Sequence, residues 1–394
     1  MLILYAGMKY DYGDESAGLS FEHYNFYDTL VRMGHDMLYF DFMSLLKRHG
    51  RAAMNQQLEE LCRTEKPAML FTFLFMDEFK RGTIRRISDR GEVATFNWFS
   101  DDHFRFDIFS RRWAPCFHWV STTSSGALPK YERIGYRNVI KSQWAANPFV
   151  YRRLGKEMAY DVTFVGQAHG NRRGMVEALR EVGIGVRTWG QFWDDGRISQ
   201  EGMIDVFNRS RINLNFSNSS APDPSWRWRA RQAMGKALAQ VPLGRQLKSV
   251  AKRLLRRAAP PPSVSPLGLD QTAENYAGLR LLPQIKGRNF EVPACGGMML
   301  TGAAENLETY YRVGEEIDVF RTAGELVDKV RYYLAQEARR TAIAEAGYRR
   351  TMSEHTYVHR FSDIFRRMGL AADAASAERV LTGEVAPGQT TEIT

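Results

Sequence analysis

The chain carries, at residues 284–301, the stretch QIKGRNFEVPACGGMMLT. Two cations, Lys286 and Arg288, precede a single acid, Glu291, and a Gly-Gly pair then leads into the apolar run at 298–300. An acid in a short helix that feeds a buried strand suits a nucleotide-sugar, because cations can meet phosphates and a carboxylate can accept ribose hydroxyls. The alternative is a solvated charge cluster ahead of a helix. The residue types alone leave both interpretations open.

Short apolar runs alternate with helical patterns on the N-terminal side of this stretch and around it. One series runs from MLILYAG (1–7) to NVIKS (138–142), and a second runs from DVTFVG (161–166) to EIDVF (316–320). Such alternation predicts parallel sheets covered on both faces. A chain of 394 residues is also too long for one ordinary core. We therefore predict an α/β protein of two doubly wound domains, with ligands in the cleft beyond the carboxyl ends of the strands.

Several motifs occur in a fixed order and cover most of residues 1–370. They are GDESAGLSFEHYNFYDTL (13–30), WFSDDHFRFD (98–107), TTSSGALPKYERIGYRNVIKSQWAANP (122–148), DVTFVGQAHGNRRG (161–174), INLNFS (212–217), the stretch 284–301 and EHTYVHRF (354–361). This ordered set resembles the glycosyltransferase-like family of CgeB spore-maturation proteins, relatives of the retaining GT-B transferases. The resemblance implies a GT-B fold, in which two Rossmann-like domains face each other across a cleft. It also implies metal-independent transfer of a sugar from a nucleotide-sugar donor.

We predict three segments. Residues 1–148 form an N-terminal Rossmann-like domain on the acceptor side, and residues 149–371 form a C-terminal Rossmann-like domain that binds the nucleotide-sugar. An insertion at 221–280 interrupts the second domain. Residues 372–394 are small and polar and are predicted to be a disordered tail. His355 and His359 are four residues apart, so we expect them to share a face of one terminal helix, and the resemblance implies that this helix crosses back over the first domain.

The donor site is predicted around the opening stretch. In retaining GT-B relatives, the acid before the Ala/Gly helix binds the donor ribose, and Glu291 takes that position here. Many relatives carry a second acid eight residues earlier, where this chain has Pro283. We expect Lys286 and Arg288 to bind the diphosphate, since cations there would stabilise the charge of the leaving group.

Three more residues are predicted to complete the donor site. Gly166 ends a predicted strand and lets the backbone turn toward a helix N-terminus, where amides can meet phosphate. Arg172 would add a cation, and Ser217 would line the pocket. The alternatives are an ordinary turn for Gly166, a solvated helix start for Arg172 and a plain strand-end serine for Ser217.

On the acceptor side, Asp101, Asp102 and His103 follow the predicted strand VATFNWFS. A carboxylate or imidazole at the carboxyl end of this strand would orient or deprotonate an acceptor hydroxyl. The alternative is that an aspartate only caps the next helix. The loop after the first strand holds another set that we expect to approach the acceptor, namely Tyr12, Gly13 and Asp14.

Other features bear on cofactors and cellular location. We expect no metal cofactor, because no cluster of acids with a nearby histidine is evident. The three cysteines are scattered without a disulfide pattern, which favours a reducing cytoplasm. No run approaches the ~18 apolar residues of a membrane span. The apolar start lacks the basic region of a signal peptide and predicts a strand.

The net charge of +9 comes from one segment. Residues 221–262 hold ten Lys and Arg against one acid, and the rest of the chain holds 44 of each sign. On a helical wheel, one face is apolar: Leu243, Leu247, Val250 and Leu254. The opposite face is basic: Arg245, Lys248, Lys252 and Arg256. With two tryptophans just ahead, the pattern at 226–257 predicts an interfacial helix on an anionic membrane surface. A helix packed on its own domain is the alternative. Nucleic acid is not expected, because the basic face lacks interleaved aromatic residues.

Together these features predict a cytoplasmic glycosyltransferase, peripheral at the inner face of the membrane, with a nucleotide-sugar donor and an acceptor that the sequence does not name. The rival hypothesis is a non-catalytic GT-B module that binds a glycan or a nucleotide. Pro283 favours that rival, since one acid of the usual pair is missing. A protein associated with nucleic acid is a third hypothesis and rests only on the basic insertion.

Overall fold

The structure, a computed structural model, describes residues 1–220, 281–370 and 379–393. The insertion at 221–280 lies outside the described residues. Its amphipathic helix and its proposed contact with membranes therefore remain predictions.

The first sheet has seven strands within the described residues. They are Leu2–Gly7 (β1), Asp36–Asp41 (β2), Met69–Thr72 (β3), Ala94–Phe99 (β4), Trp119–Thr122 (β5), Val139–Lys141 (β6) and Thr390–Glu392 (β14). Their order across the sheet is β14-β2-β1-β3-β4-β5-β6, and neighbours pair in parallel. The predicted alternation of apolar strands and helices is confirmed here.

The second sheet has five strands in the described part of the chain. They are Tyr160–Val165 (β7), Val186–Trp189 (β8), Ser210–Asn215 (β9), Met299–Gly302 (β12) and Asp318–Phe320 (β13). Their order is β13-β12-β9-β7-β8, again with parallel neighbours. Two short strands, Asn218–Ser220 (β10) and Leu281–Pro283 (β11), pair antiparallel where the chain leaves for the insertion and returns from it.

Helices connect the strands of both sheets. In the first domain they are Asp28–Arg32 (α1), Phe42–Glu65 (α2), Arg81–Arg90 (α3), Asp102–Arg105 (α4), Arg111–Trp113 (α5) and Leu128–Arg133 (α6). In the second domain they are Arg172–Glu181 (α7), Gln200–Asn208 (α8), Arg288–Ala294 (α9), Ala323–Ala335 (α10) and Glu337–Glu354 (α11). Thr322 caps α10 by accepting a hydrogen bond from the Glu325 amide at 3.1 Å, as the sequence predicts.

The last long helix, Tyr357–Arg367 (α12), packs on the first domain although it follows the second in sequence. Its buried rings lie against the first core, with Tyr357 5.2 Å from Phe26 between ring centroids and Phe361 5.8 Å from Phe71. This packing agrees with the expectation that the terminal helix crosses back over the first domain. The second domain therefore ends before α12 and not at residue 371, as predicted.

The two histidines of EHTYVHRF differ from the prediction. His355 lies between α11 and α12, and its Nε2 is 2.6 Å from the Tyr310 carbonyl oxygen. His359 lies inside α12 and completes a capping box with Thr356. They do not share a helical face, because α11 ends at Glu354 and the chain turns before α12 begins.

The prediction of a disordered tail is wrong for residues 379–393. Strand β14 extends the first sheet by pairing with β2, and Val380 is buried in the same core as α12. The Lys9 ammonium forms an ion pair with Glu392 at 2.6 Å. The open edge of β2 offers unpaired backbone groups that any extended segment can satisfy, so a weakly apolar sequence is sufficient.

The carboxyl ends of β4, β5 and β6 face those of β7, β9 and β12 across a cleft, and residues after these strands line shared cavities. Among the described helices, none is apolar over a length that would cross a membrane.

Candidate active site

Within the described residues, the cleft holds three adjoining cavities. The central cavity has a volume of about 260 Å³. It is lined by Phe21, Asp101, Trp144, Phe164, Val165, Gly166, Arg172, Asn215, Gln284, Lys286, Gly287 and Arg288. The outer cavity, about 580 Å³, shares Gly166 and Arg288 with it, and the inner cavity, about 20 Å³, shares Gln284. The central cavity therefore connects the other two.

The second domain brings the cations Arg172, Lys286 and Arg288 to the central cavity. Arg172 is buried, and its guanidinium donates to the carbonyl oxygens of Gln167 at 2.9 Å and Phe216 at 3.2 Å. Burial, together with the positive charge of Arg288, lowers the pKa of Arg172 to about 10. Like charges thus crowd one wall of the cavity, and an anion bound there would relieve the crowding.

Lys286 is the most strongly perturbed of these cations. Burial lowers its pKa to about 7, the Asp101 carboxylate across the cavity opposes the shift, and Arg172 adds to it. No ion pair shorter than 4 Å joins the Lys286 ammonium to a carboxylate of the described residues. Lys286 is half-buried, and a partly desolvated cation without a close counter-ion favours a ligand that supplies negative charge.

A network of buried polar side chains holds the loop that carries Lys286. The Lys286 amide donates to Asn289 Oδ1 at 2.9 Å, and Asn215 Nδ2 donates to the same oxygen at 3.1 Å. Asn215 and Asn289 also donate to the Thr301 hydroxyl, at 2.9 and 3.1 Å. Sequence analysis missed this network. Its signal was the asparagine inside the apolar strand INLNFS, since asparagine is rare in strands and in cores unless it is hydrogen-bonded.

Glu291 differs from its predicted place at the cavity wall. It is fully buried in α9, and one of its carboxylate oxygens accepts a hydrogen bond from the Arg288 guanidinium. Gly287 lies between the carboxylate and the central cavity, because a Cβ added to Gly287 would come within 2.9 Å of Glu291 Oε1. That oxygen has no hydrogen-bond partner among the described residues. In this arrangement Glu291 Oε2 supports Arg288, and the expected ribose contact, which only Oε1 could make without opening the ion pair, stays a prediction.

Gly166 lines the cleft as predicted, whereas Ser217 does not line its three cavities. Gly166 ends β7 and lines the central and outer cavities, and a Cβ there would lie 2.8 Å from the Phe164 ring. Ser217 lines none of the three cleft cavities, so its predicted place in the pocket is corrected. It is buried, and its hydroxyl donates to the Gly302 carbonyl, because the neighbouring strands β9 and β12 end side by side.

Asp101, Asp102 and His103, which follow β4, face three different parts of the molecule. Asp101 lines the central cavity, where burial raises the pKa of its carboxyl and Lys286 and Arg105 oppose the shift. His103 lines the inner cavity, and burial with the nearby Lys286 lowers the pKa of its imidazole to about 3, so the ring is neutral.

Asp102 turns away from the cleft, so its predicted catalytic role is corrected. It is buried in the first domain and accepts a hydrogen bond from the Tyr131 hydroxyl at 2.7 Å, which ties α4 to α6. Successive helical residues point about 100° apart, because a turn takes 3.6 residues. Two adjacent aspartates at the start of α4 therefore cannot both face one cavity.

The loop after β1 approaches the cleft through residues other than the predicted ones. The exposed Asp14 carboxylate accepts hydrogen bonds from the Ser16 amide at 3.0 Å and hydroxyl at 2.7 Å, so it shapes its own loop. The Gly13 carbonyl accepts from the Lys47 ammonium, and Tyr12 packs edge-on against Phe75 at 5.7 Å. In the described residues, the outer cavity is lined by the same loop's residues 16–19 instead. The expected contacts of Tyr12, Gly13 and Asp14 with an acceptor stay a prediction.

The inner cavity is lined by residues that sequence analysis gave no role. They follow β5, β6 and β12, and they include Thr123, Ser124, Ser125, Lys141, Gln143, Glu305 and Asn306. The signal was available, because TTSS and KSQ follow predicted strands just as Asp101 follows β4.

The described residues contain no group of three or more His, Cys, Asp or Glu side chains placed to hold a metal ion. The expected independence of metal stays a prediction.

Comparisons with known proteins agree with this architecture. The family model described as glycosyl transferase-like matches residues 172–241 and 278–366. The structure of HepE from Anabaena in complex with UDP-glucose superposes with a TM-score of 0.55 at 9% identity, covering 94% of this chain and 100% of that one. Sucrose-phosphate synthase from Thermosynechococcus elongatus gives 0.54 at 10% identity, with 93% and 97% covered. A glycosyltransferase from Rickettsia africae gives 0.51 at 8% identity, with 96% and 98% covered.

No curated protein sequence matches the chain. At these identities the structural likeness shows the fold alone, and it does not distinguish the CgeB-type subfamily from other relatives. The chain has the α/β GT-B fold, and its second domain matches the glycosyl transferase-like family.

Proposed function

We propose that the protein is a glycosyltransferase that takes its sugar from a nucleotide-sugar donor, and that the central cavity binds the donor diphosphate. One observation carries the proposal: Arg172, Lys286 and Arg288 line one cavity of the cleft at the carboxyl ends of the second-domain strands. The match to the glycosyl transferase-like family supports it, as does the likeness to a protein solved with UDP-glucose.

The chemistry follows from the charge. When the glycosidic bond breaks, its electron pair passes to the diphosphate oxygen, so negative charge grows where Lys286 and Arg288 lie. Fixed cations in a water-poor cavity stabilise such charge without reorganising. Asp101 lies on the opposite wall, and a carboxylate there orients or deprotonates the acceptor hydroxyl. Burial raises the pKa of the Asp101 carboxyl, which makes it a stronger base than an exposed aspartate.

Finer parts of the proposal rest on the sequence. Retention of the anomeric configuration and independence of metal are implied by the resemblance of motifs. Attachment to the inner face of a membrane rests on the amphipathic pattern at 226–257. Flotation with anionic vesicles tests the attachment, and deletion of residues 224–262 should abolish it.

Calorimetric titration with nucleoside diphosphates and the matching nucleosides tests the central claim. Lys286→Met should weaken a diphosphate about tenfold or more and leave its nucleoside unchanged, because a charged hydrogen bond contributes about 1.5–3 kcal/mol. Lys156→Met is the control, since Lys156 pairs with Asp205 on the surface. If no nucleoside diphosphate binds the wild type at millimolar concentration, the proposal fails.

The second candidate is a non-catalytic module that binds a nucleotide or a glycan. Pro283 favours it, since the chain lacks an acid at that position. Tight binding of a nucleotide-sugar, with neither transfer to any of a broad set of acceptors nor hydrolysis by water, would favour the module over the enzyme.

A further inference from the structure

A fourth cavity lies in the described part of the first domain and shares no lining residue with the three cavities of the cleft. Its volume is about 250 Å³, close to that of the central cavity, and we call it the arginine cavity. Three helices each bring one arginine to it: Arg51 of α2, Arg81 of α3 and Arg112 of α5. The exposed Asp77 adds one carboxylate. Three positive charges and one negative charge favour an anionic ligand.

Other arginines of the same helix layer are neutralised by ion pairs. Arg86 and Arg90 of α3 pair with Glu59 of α2, at 2.7 and 2.6 Å. Among the residues that the structure describes, the three arginines of the cavity have no carboxylate within 4 Å, and that includes Asp77. Cations that converge without counter-ions repel one another, so a bound anion would offset the repulsion.

The backbone beneath Arg51 holds its guanidinium in place. Nε donates to the Glu78 carbonyl oxygen at 3.2 Å, and Nη2 donates to the Phe79 carbonyl oxygen at 2.7 Å. The Glu78 carboxylate in turn accepts hydrogen bonds from the amides of Phe75 and Met76, both at 2.7 Å, so the loop itself is fixed. A guanidinium has five N–H donors, so Arg51 keeps donors for a ligand. A cation that is already oriented loses less conformational entropy when it binds.

The start of α3 adds positive charge of another kind. Arg81 is the first residue of α3, and the first turn of this helix contains no acid. The N-cap residue, Lys80, makes no side-chain cap hydrogen bond. A helix N-terminus carries partial positive charge, so cations there are unfavourable and an anion is stabilised. The helix end therefore favours the same sign of ligand as the three arginines do.

The rest of the lining is apolar, so the cavity also suits a hydrocarbon group attached to the anion. Phe79 and Trp113 are buried, Phe109 is half-buried, and Ile108 keeps 58% of its surface exposed. The guanidinium fork matches phosphate, because two phosphate oxygens can accept from one arginine. Apolar side chains gain free energy by covering hydrocarbon. A phosphate ester with an apolar chain therefore uses both parts of the lining.

The arginine cavity lies close to the acceptor side of the cleft. Helical turns run from Asp102 to Trp113, and at 1.5 Å per residue Ile108 lies about 10 Å from Asp101 along them. The Arg105 guanidinium lies over the Phe109 ring of the cavity, 4.1 Å from its centroid. A ligand in the arginine cavity thus lies within a few helical turns of the carboxylate that faces the cleft.

We propose that the arginine cavity binds the phosphate headgroup of an anionic lipid and so holds the acceptor side of the cleft against a lipid surface. The arginines bind the phosphate, and Ile108 and Phe109 contact the first carbons of the lipid chains. The site does not depend on the nucleotide-sugar donor, and it lies outside the basic insertion at 221–280.

Calorimetry on the full chain with three soluble probes tests this inference. Dihexanoyl phosphatidic acid, kept below its micellar concentration, carries both the phosphate and the chains. Glycerol 3-phosphate lacks the chains, and dihexanoylglycerol lacks the phosphate. In low salt, where exposed charges are least screened, the wild type should bind the phosphatidic acid about tenfold tighter or more than either partial probe.

Variants assign the binding to this cavity. Arg112→Met should weaken both phosphate probes about tenfold or more and leave nucleoside diphosphate affinity within about twofold, the scale for independent sites. Ile108→Ser should weaken the phosphatidic acid and leave glycerol 3-phosphate unchanged. Arg86→Met is the control, since Arg86 belongs to α3 and is already paired with Glu59.

Three results would overturn the inference. One is wild-type affinity for the phosphatidic acid no higher than for glycerol 3-phosphate. Another is unchanged phosphatidic acid binding in Arg112→Met. The third is an equal loss in Arg112→Met and Arg86→Met, because this would show attraction to the general positive charge of the surface. Failure of nucleoside diphosphates to bind would overturn the proposed function alone, since the two sites share no residue.

Discussion

The two walls of the cleft differ in chemistry. The second-domain wall carries guanidinium and ammonium groups, and buried networks hold them: Glu291 under Arg288, and Asn289 under the Lys286 amide. The first-domain wall carries mainly hydroxyls and amides, with one carboxylate, Asp101, and one ammonium, Lys141. A cationic wall suits an anion that must be bound and stabilised, whereas hydroxyl, amide and carboxylate groups suit the hydroxyls of a ligand. The roles proposed for the two walls, diphosphate binding by the second domain and acceptor activation by the first, follow from this difference.

The largest expected effect tests the first-domain wall. Asp101→Asn should lower transfer by about 10²–10⁴-fold, the usual range for general acid–base groups, while donor binding persists. Asp102→Asn is the matched control, since an amide oxygen still accepts from the Tyr131 hydroxyl. Because the Asp101 carboxylate raises the pKa of Lys286, its loss lowers that pKa further, so donor binding is measured on the same variant to separate the two effects. Loss of transfer in Asp102→Asn with normal turnover in Asp101→Asn would reverse the assignment.

The second test concerns the support beneath the cationic wall. Glu291→Ala leaves the Arg288 guanidinium without its buried partner and should lower the free energy of unfolding by about 3 kcal/mol. Urea denaturation measures the loss, and the double change Glu291→Met with Arg288→Met should recover part of it. A Glu291→Ala variant with wild-type stability but weaker nucleoside binding would restore the ribose role predicted from the sequence.

Features of the fold and of the candidate site could be predicted from the sequence where neighbouring residues determine them. The helix Arg288–Ala294 and the strand after it follow from the acid, the glycines and the apolar run, so they could be predicted from QIKGRNFEVPACGGMMLT. The presence of Lys286 and Arg288 at the central cavity follows from the same stretch. Gly166 could be placed for a similar reason, because it ends an apolar strand.

Other features depend on distant partners. Asp101 and Asp102 are equivalent in sequence, and the bond from Tyr131 decides which one faces the cavity. Glu291 was expected at the ligand, but its ion pair with Arg288 turns it inward. Strand β14 docks through backbone groups of β2, which leave no pattern in the side chains of the tail.

The third prediction uses the pH dependence of the cationic wall. Lys286 has a pKa of about 7 in the free protein, and a bound diphosphate would raise it. Binding therefore takes up a proton above pH 7, and diphosphate affinity should fall as pH rises, by at most about tenfold per pH unit for one proton. Calorimetry in buffers of different ionisation enthalpy measures the uptake. Lys286→Arg, which stays charged, should flatten the profile, and an unchanged slope in that variant would assign the proton elsewhere.

The smallest expected effect separates function from stability at the same residue. An unfolded lysine keeps its ordinary pKa near ~10.4, whereas folded Lys286 has one of about 7. Between these values the unfolded state binds more protons, so this residue makes the protein more stable as pH rises through the window and less stable below pH 7. Lys286→Met removes the buried charge, so its free energy of unfolding should exceed that of the wild type at pH 6.5, and the difference should shrink by pH 9. Urea denaturation at both values measures it. Only a desolvated charge makes the stability difference between the variant and the wild type depend on pH. If Lys286→Met is destabilised equally at pH 6.5 and pH 9, Lys286 serves the packing of the wall rather than the binding of an anion.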